Sequence, residues 1–202
     1  MRISYTLSKH ITNNINTTKK LTNKELLVYN YCLEFFFDQL IFSLSVLIIG
    51  FLLHKLVLSV CFVLFFIPLK MCAGGFHMNS RFLCSFTSYF IFLISIYLPH
   101  YLIYFSLYKL TLFFMFASFG IIFFTPVEHP AKPFSAFQRS RLKKIIIFLI
   151  LITYILFIIF YIIAEKILLV SLFLYVIIIF INQIIGLIIN HTTRKRRLNH
   201  VS

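Results

Sequence analysis

The chain has 202 residues, of which 61% are hydrophobic, 19% aromatic and only 12% charged, and its mean hydropathy is +0.98. No water-soluble domain has this composition, so the sequence specifies an all-α, polytopic helical membrane protein whose backbone polar groups are satisfied inside each helix. A net charge of +14 would suit nucleic acid, but the basic residues gather at the ends of apolar runs, where membrane topology and anionic lipid account for them.

Residues 1–34 read as a basic N-terminal segment. Arg2, Lys9, Lys19, Lys20 and Lys24 stand among Thr and Asn with no apolar core before a small-residue cleavage site, so no signal peptide is expected. Thr22-Asn23-Lys24-Glu25 is a capping box, with Leu21 and Leu26 as its hydrophobic staple, and predicts a helix start. Leu26, Tyr29, Leu33, Phe36, Phe37 and Leu40 follow near helical spacing, which suits an amphipathic helix lying on the membrane before entering it.

A single membrane domain is expected over residues 35–190. Its apolar runs extend from Phe35 to Leu53, Leu56 to Leu69, Phe82 to Leu98, Tyr101 to Phe124, Ile145 to Ile163 and Ile167 to Ile189. The second is short: 14 residues of helix rise about 21 Å against a hydrocarbon core of about 30 Å. It predicts either a tilted span in a thinned bilayer or half of a re-entrant hairpin, so the alternatives are six segments or four full spans plus a hairpin. A basic loop, 125–144, divides the domain, and a basic tail, 191–202, ends the chain. Counting Lys and Arg by alternate connections puts all but Lys55, Lys109 and Lys166 of the 19 on one side, which predicts that both termini are cytoplasmic.

The island 70–84, Lys-Met-Cys-Ala-Gly-Gly-Phe-His-Met-Asn-Ser-Arg-Phe-Leu-Cys, concentrates the polar chemistry. His77 and Cys84 are seven positions apart, and on one straight helix that is a rise of about 10.5 Å, too long for a nucleophile and its base. Asn79 and Ser80 relieve the conflict, because both are good N-cap residues. With a helix starting there, His77 falls in the preceding loop and Cys84 in the first turns, where unpaired N–H groups and the helix dipole favour a thiolate. The other reading makes the cysteines small hydrophobes and His77 a polar loop residue. Gly74 and Gly75 offer a tight turn or backbone donors for an oxyanion. The predicted topology puts Cys84, with Cys32 and Cys72, on the reducing side, where disulfides do not persist; Cys61 lies mid-span and suits packing. No C-x-x-C or H-x-x-x-H pair is present, so no metal and no cofactor are expected.

A second polar motif, Pro126-Val-Glu-His-Pro-Ala-Lys-Pro133, follows two spans later. Glu128 or His129 in it can orient His77, or the loop is a rigid connector. Together, Ala73-Gly-Gly-Phe-His77, Cys84 seven residues on, and this second motif resemble AgrB, the membrane endopeptidase family of peptide quorum sensing in Gram-positive bacteria. The resemblance implies a cysteine endopeptidase of the bacterial cell membrane, active on the cytoplasmic side, with Cys84 as nucleophile and His77 as base. It would cut the C-terminal part from a short AgrD-like propeptide through a thioester acyl-enzyme, and attack from within the bound peptide would close a thiolactone or lactone ring. The family commonly carries a basic residue before the Gly-Gly pair, here Lys70, and is thought of as dimeric. Its substrates tend to have acidic tails, which Lys132, Arg139, Arg141, Lys143 and Lys144 would attract; the same residues serve equally as topology anchors. Asn182 and Gln183 in the last span suit either a polar path or interhelical hydrogen bonds. The rival readings are a small permease or peptide exporter, for which the spans are poor in charged residues, and a non-catalytic membrane partner.

Overall fold

The computed structural model describes residues 2–19, 22–75, 81–128 and 134–199, and the chain divides into two compact units, Met1–Leu52 and Leu53–Ser202. Among the described residues, six helices are long and apolar enough to cross a membrane: Asn23–Leu52, Leu56–Ala73, Leu83–Leu102, Leu107–Phe124, Ala136–Ile162 and Lys166–Thr192. The protein is a polytopic helical membrane protein, and its second membrane-capable helix is longer than the apolar run suggests.

The first unit is a pair of helices, α1 (Arg2–Lys19) and α2 (Asn23–Leu52). The expected capping box opens α2: the Glu25 N–H donates to Thr22 Oγ1 over 3.4 Å, and the Thr22 N–H donates to Glu25 Oε2 over 2.9 Å. From there α2 continues without a break through the amphipathic stretch and the first apolar run. Sequence reasoning assigns no helix to α1, because its inward face carries hydroxyls in place of an apolar stripe. Ser4, Ser8 and Thr12 are buried at four-residue spacing. Ser8 donates to the Tyr5 carbonyl and Thr12 to the Ser8 carbonyl, and such back-bonding lets hydroxyls be buried cheaply.

The second unit is built around its last helix. The second span comprises α3 (Leu56–Cys61), a π-helical turn (Phe62–Phe66) and α4 (Ile67–Ala73), followed by α5 (Arg81–Tyr97), α6 (Pro99–Leu102), α7 (Leu107–Phe124), α8 (Ala136–Ile162) and α9 (Lys166–Asn199). The π turn ends two residues before Pro68. A proline inside a helix lacks its N–H and clashes with the carbonyl four residues back; widening the turn before it accommodates both effects. Helical structure thus carries past Pro68 and Lys70 to Ala73, giving 18 residues and about 27 Å.

From Leu169 to Val176 every residue of α9 is buried, as expected of a helix that is apolar all round. The π turn aims Phe62 and Phe66 at this segment: their rings stack 4.5 Å apart, and Tyr175 meets both edge-on at 5.8 and 5.9 Å. Phe92 of α5 closes the cluster against Phe62 at 5.2 Å. The Tyr175 hydroxyl donates to the Leu58 carbonyl over 3.2 Å. Elsewhere in this unit Lys55 Nζ lies 3.0 Å from His100 Nε2, joining the start of the second span to α6.

This cluster generates a stability prediction. Tyr175→Phe loses one hydrogen bond worth about 1 kcal/mol, whereas Phe66→Ala empties a packed site and loses about 3–5 kcal/mol. Thermal unfolding in detergent should rank the parent first, Tyr175→Phe close below it and Phe66→Ala well below; equal loss in both variants would contradict the packing assigned to the π turn.

Candidate active site

Where α4 ends, the chain turns on two glycines. Gly74 has φ +71° and Gly75 φ +137°, conformations that residues with a Cβ rarely adopt. The Gly74 N–H is taken by the Lys70 carbonyl at 3.3 Å. Both glycines also permit close approach. A Cβ on Gly74 would lie 2.5 Å from the Val127 carbonyl oxygen, and one on Gly75 would overlap the Asn182 carboxamide. The glycine turn therefore lies directly against the second polar motif and the middle of α9.

The junction is held by hydrogen bonds between distant parts of the chain. Gly74 and Val127 form an isolated parallel β-bridge, with the Val127 N–H donating to the Ala73 carbonyl at 3.1 Å. Gln183 of α9, fully buried, donates through Nε2 to that same carbonyl and to Thr125 Oγ1, both at 3.0 Å. Thr125 Oγ1 in turn donates to the Ile121 carbonyl at 2.6 Å. Further along α9, Asn190 Nδ2 donates to the Glu128 carbonyl at 2.6 Å.

Cys84 is the fourth residue of α5, half-exposed and with a free thiol. It thus falls in the first turn of α5. One turn on, Ser88 Oγ donates to the Cys84 carbonyl at 2.9 Å and accepts from Lys70 Nζ at 3.1 Å. Lys70 Nζ also lies 5.9 Å from the centre of the Phe66 ring. The structure therefore brings together Lys70, Cys84 and Ser88 across α4 and α5, and separately joins the glycine turn to the second motif. His77, Asn79, Ser80, His129 and Lys132 lie outside the described residues.

The carboxylate of Glu128 is engaged by Arg139, whose Nε and Nη2 lie 2.8 and 2.7 Å from Oε1, and it also accepts the Phe134 N–H at 3.4 Å. This pair sits beside the capping box that opens α8, in which Ser135 and Gln138 bond reciprocally. Arg141, Lys143 and Lys144 are exposed on the first turns of α8. Among the described residues no three of His, Cys, Asp and Glu converge as a metal site requires.

Sequence reasoning misses Ser88 and Asn190. Ser88 has a signal, since it stands four residues after Cys84 on the same helical face; Asn190, 62 residues from Glu128, has none. The glycine turn yields a ranking. Gly74→Ala meets backbone that cannot move cheaply, while Gly75→Ala meets a side chain that can, and each adopts a disfavoured φ costing more than about 1 kcal/mol. Thermal unfolding should place Gly74→Ala below Gly75→Ala, and the reverse order would contradict the β-bridge.

No curated protein and no solved structure matches the chain. The family model for accessory gene regulator B matches residues 8–189, a span that takes in the glycine turn, Cys84, the second motif and α9 through Ile189. With its six membrane-capable helices and both polar motifs inside that match, the chain belongs to the AgrB family, whose members process AgrD-type propeptides in the membrane.

Proposed function

We propose that the protein is a cysteine endopeptidase of the bacterial cell membrane that removes the C-terminal part of an AgrD-type propeptide on the cytoplasmic side and releases a cyclic peptide signal. The observation that carries this reading is Cys84 in the first turn of α5, with Lys70 Nζ bonded to Ser88 and the Ser88 hydroxyl bonded to the Cys84 carbonyl. The first turn of a helix is a position that suits a nucleophilic cysteine. The excess of Lys and Arg on the connections shared with the termini supports the cytoplasmic assignment.

In this mechanism His77 takes the thiol proton as Cys84 Sγ attacks the scissile carbonyl. The tetrahedral intermediate collapses with cleavage of the C–N bond, and His77 returns the proton to the departing amine. The propeptide's N-terminal part is left as a thioester on Cys84, which retains the energy of acyl transfer. A thiol or hydroxyl within the bound peptide then attacks that thioester, closing a thiolactone or lactone ring, and the Cys84 sulfur leaves to be reprotonated. Water has to be kept from the thioester, or hydrolysis replaces ring closure. Arg141, Lys143 and Lys144, exposed beside the second motif, would receive an acidic propeptide tail, while Arg139 is already paired with Glu128.

The test is co-expression in membranes with an AgrD-type propeptide, followed by mass spectrometry of the peptide. Cys84→Ala and His77→Ala should each abolish loss of the C-terminal segment, with the variant proteins still present in the membrane at the parent level. Charge removal at Arg141, Lys143 and Lys144 together should raise KM several-fold and leave kcat nearly unchanged, since it weakens binding in ground and transition states alike. Normal processing by Cys84→Ala would reject the mechanism.

A further inference from the structure

Gln183 is placed against the ordinary rules of stability. It is fully buried in α9, and among the described residues its carboxamide oxygen Oε1 has no hydrogen-bond partner. A buried unpaired acceptor costs stability, and an apolar side chain of the same size would avoid that cost. Nor do the groups it serves depend on it. The Ala73 carbonyl also accepts the Val127 N–H, and Thr125 Oγ1 also bonds the Ile121 carbonyl. Removing the carboxamide would therefore leave each partner with a bond of its own. Such violations of local rules concentrate at functional sites.

What Gln183 does supply is position. Its two donated bonds, each 3.0 Å, tie the last carbonyl of α4 to the segment that leaves α7. Asn182, its neighbour, presents its carboxamide to Gly75. The chain leaves α4 through these two glycines, and His77 follows Gly75 by two residues. We propose that Gln183 is a positioning residue for the reaction, fixing the glycine turn from which the chain departs toward the catalytic base. This inference rests on the reading of Cys84 and His77 as the reacting pair. Misplacing a reacting group by an ångström is enough to slow an enzyme about 100-fold.

The test compares the full chain with Gln183→Met and Gln183→Leu in proteoliposomes, using a synthetic AgrD-type propeptide as substrate and Cys84→Ala as control. Three quantities are read: kcat, KM and the melting temperature. The expected result is a kcat lower by about 10- to 100-fold with KM unchanged, together with a melting temperature equal to or above the parent's. A purely structural residue would lower the melting temperature in step with the rate, and that pattern, or failure of both variants to fold, would overturn the proposal. Parent-like kcat in both variants beside an inactive Cys84→Ala would overturn it while leaving the endopeptidase reading intact. Processing by Cys84→Ala would instead remove the reading on which it rests.

Discussion

A chain inside a bilayer has no water to satisfy backbone groups, so wherever it leaves helical geometry those groups must be paired within the protein. In the second unit, groups freed at the ends of two membrane-capable helices are paired in this way. At residues 73–75 and 125–128 two helices end, and the freed groups are paired by a single β-bridge, by Thr125 and by the carboxamide of Gln183. The helix that supplies Gln183 is also the buried centre of the unit, with its segment 169–176 enclosed throughout. The irregular backbone is therefore fixed to the most buried element available.

The arrangement also brings the glycine turn against the start of the second polar motif although some fifty residues separate them in the chain. Gly74 tolerates the approach of Val127 because it has no Cβ, and Gly75 tolerates Asn182 for the same reason. On the neighbouring helix pair, the π turn before Pro68 lets the second span continue to Ala73, which places Lys70 one turn before the glycines and within reach of Ser88. A span stopped at Leu69, as its hydropathy alone would suggest, would lack that ammonium. The extra turn thus joins the second helix of this unit to the helix that carries Cys84.

Much of the helical framework was legible because long apolar runs and caps are local signals. The Thr22–Glu25 capping box and the helix restart between the glycines and Cys84 are read from neighbouring residues, and the structure has both helices. Helix α1 was not legible, since its buried face is built from Ser4, Ser8 and Thr12, residues that usually mark caps and turns. The full length of the second helix is not legible because the apolar run ends before Lys70, and the π turn ahead of Pro68 has no local sequence pattern. The junction lay beyond sequence reasoning for a different reason: Gln183 meets Ala73 across 110 residues, and only the packing of α9 decides which of its polar residues arrives there. The expectation that Gln183 serves interhelical hydrogen bonding identified its chemistry without its partners.

The central claim is that Cys84 carries the propeptide as a thioester, and trapping that adduct tests it most directly. The purified protein would be mixed with a propeptide whose internal nucleophile is replaced by alanine, quenched in acid, digested and analysed by mass spectrometry. The account predicts the mass of the N-terminal propeptide fragment on the Cys84 peptide, released by neutral hydroxylamine. Cleavage of the propeptide without any adduct on Cys84, or with the adduct on another residue, would contradict it.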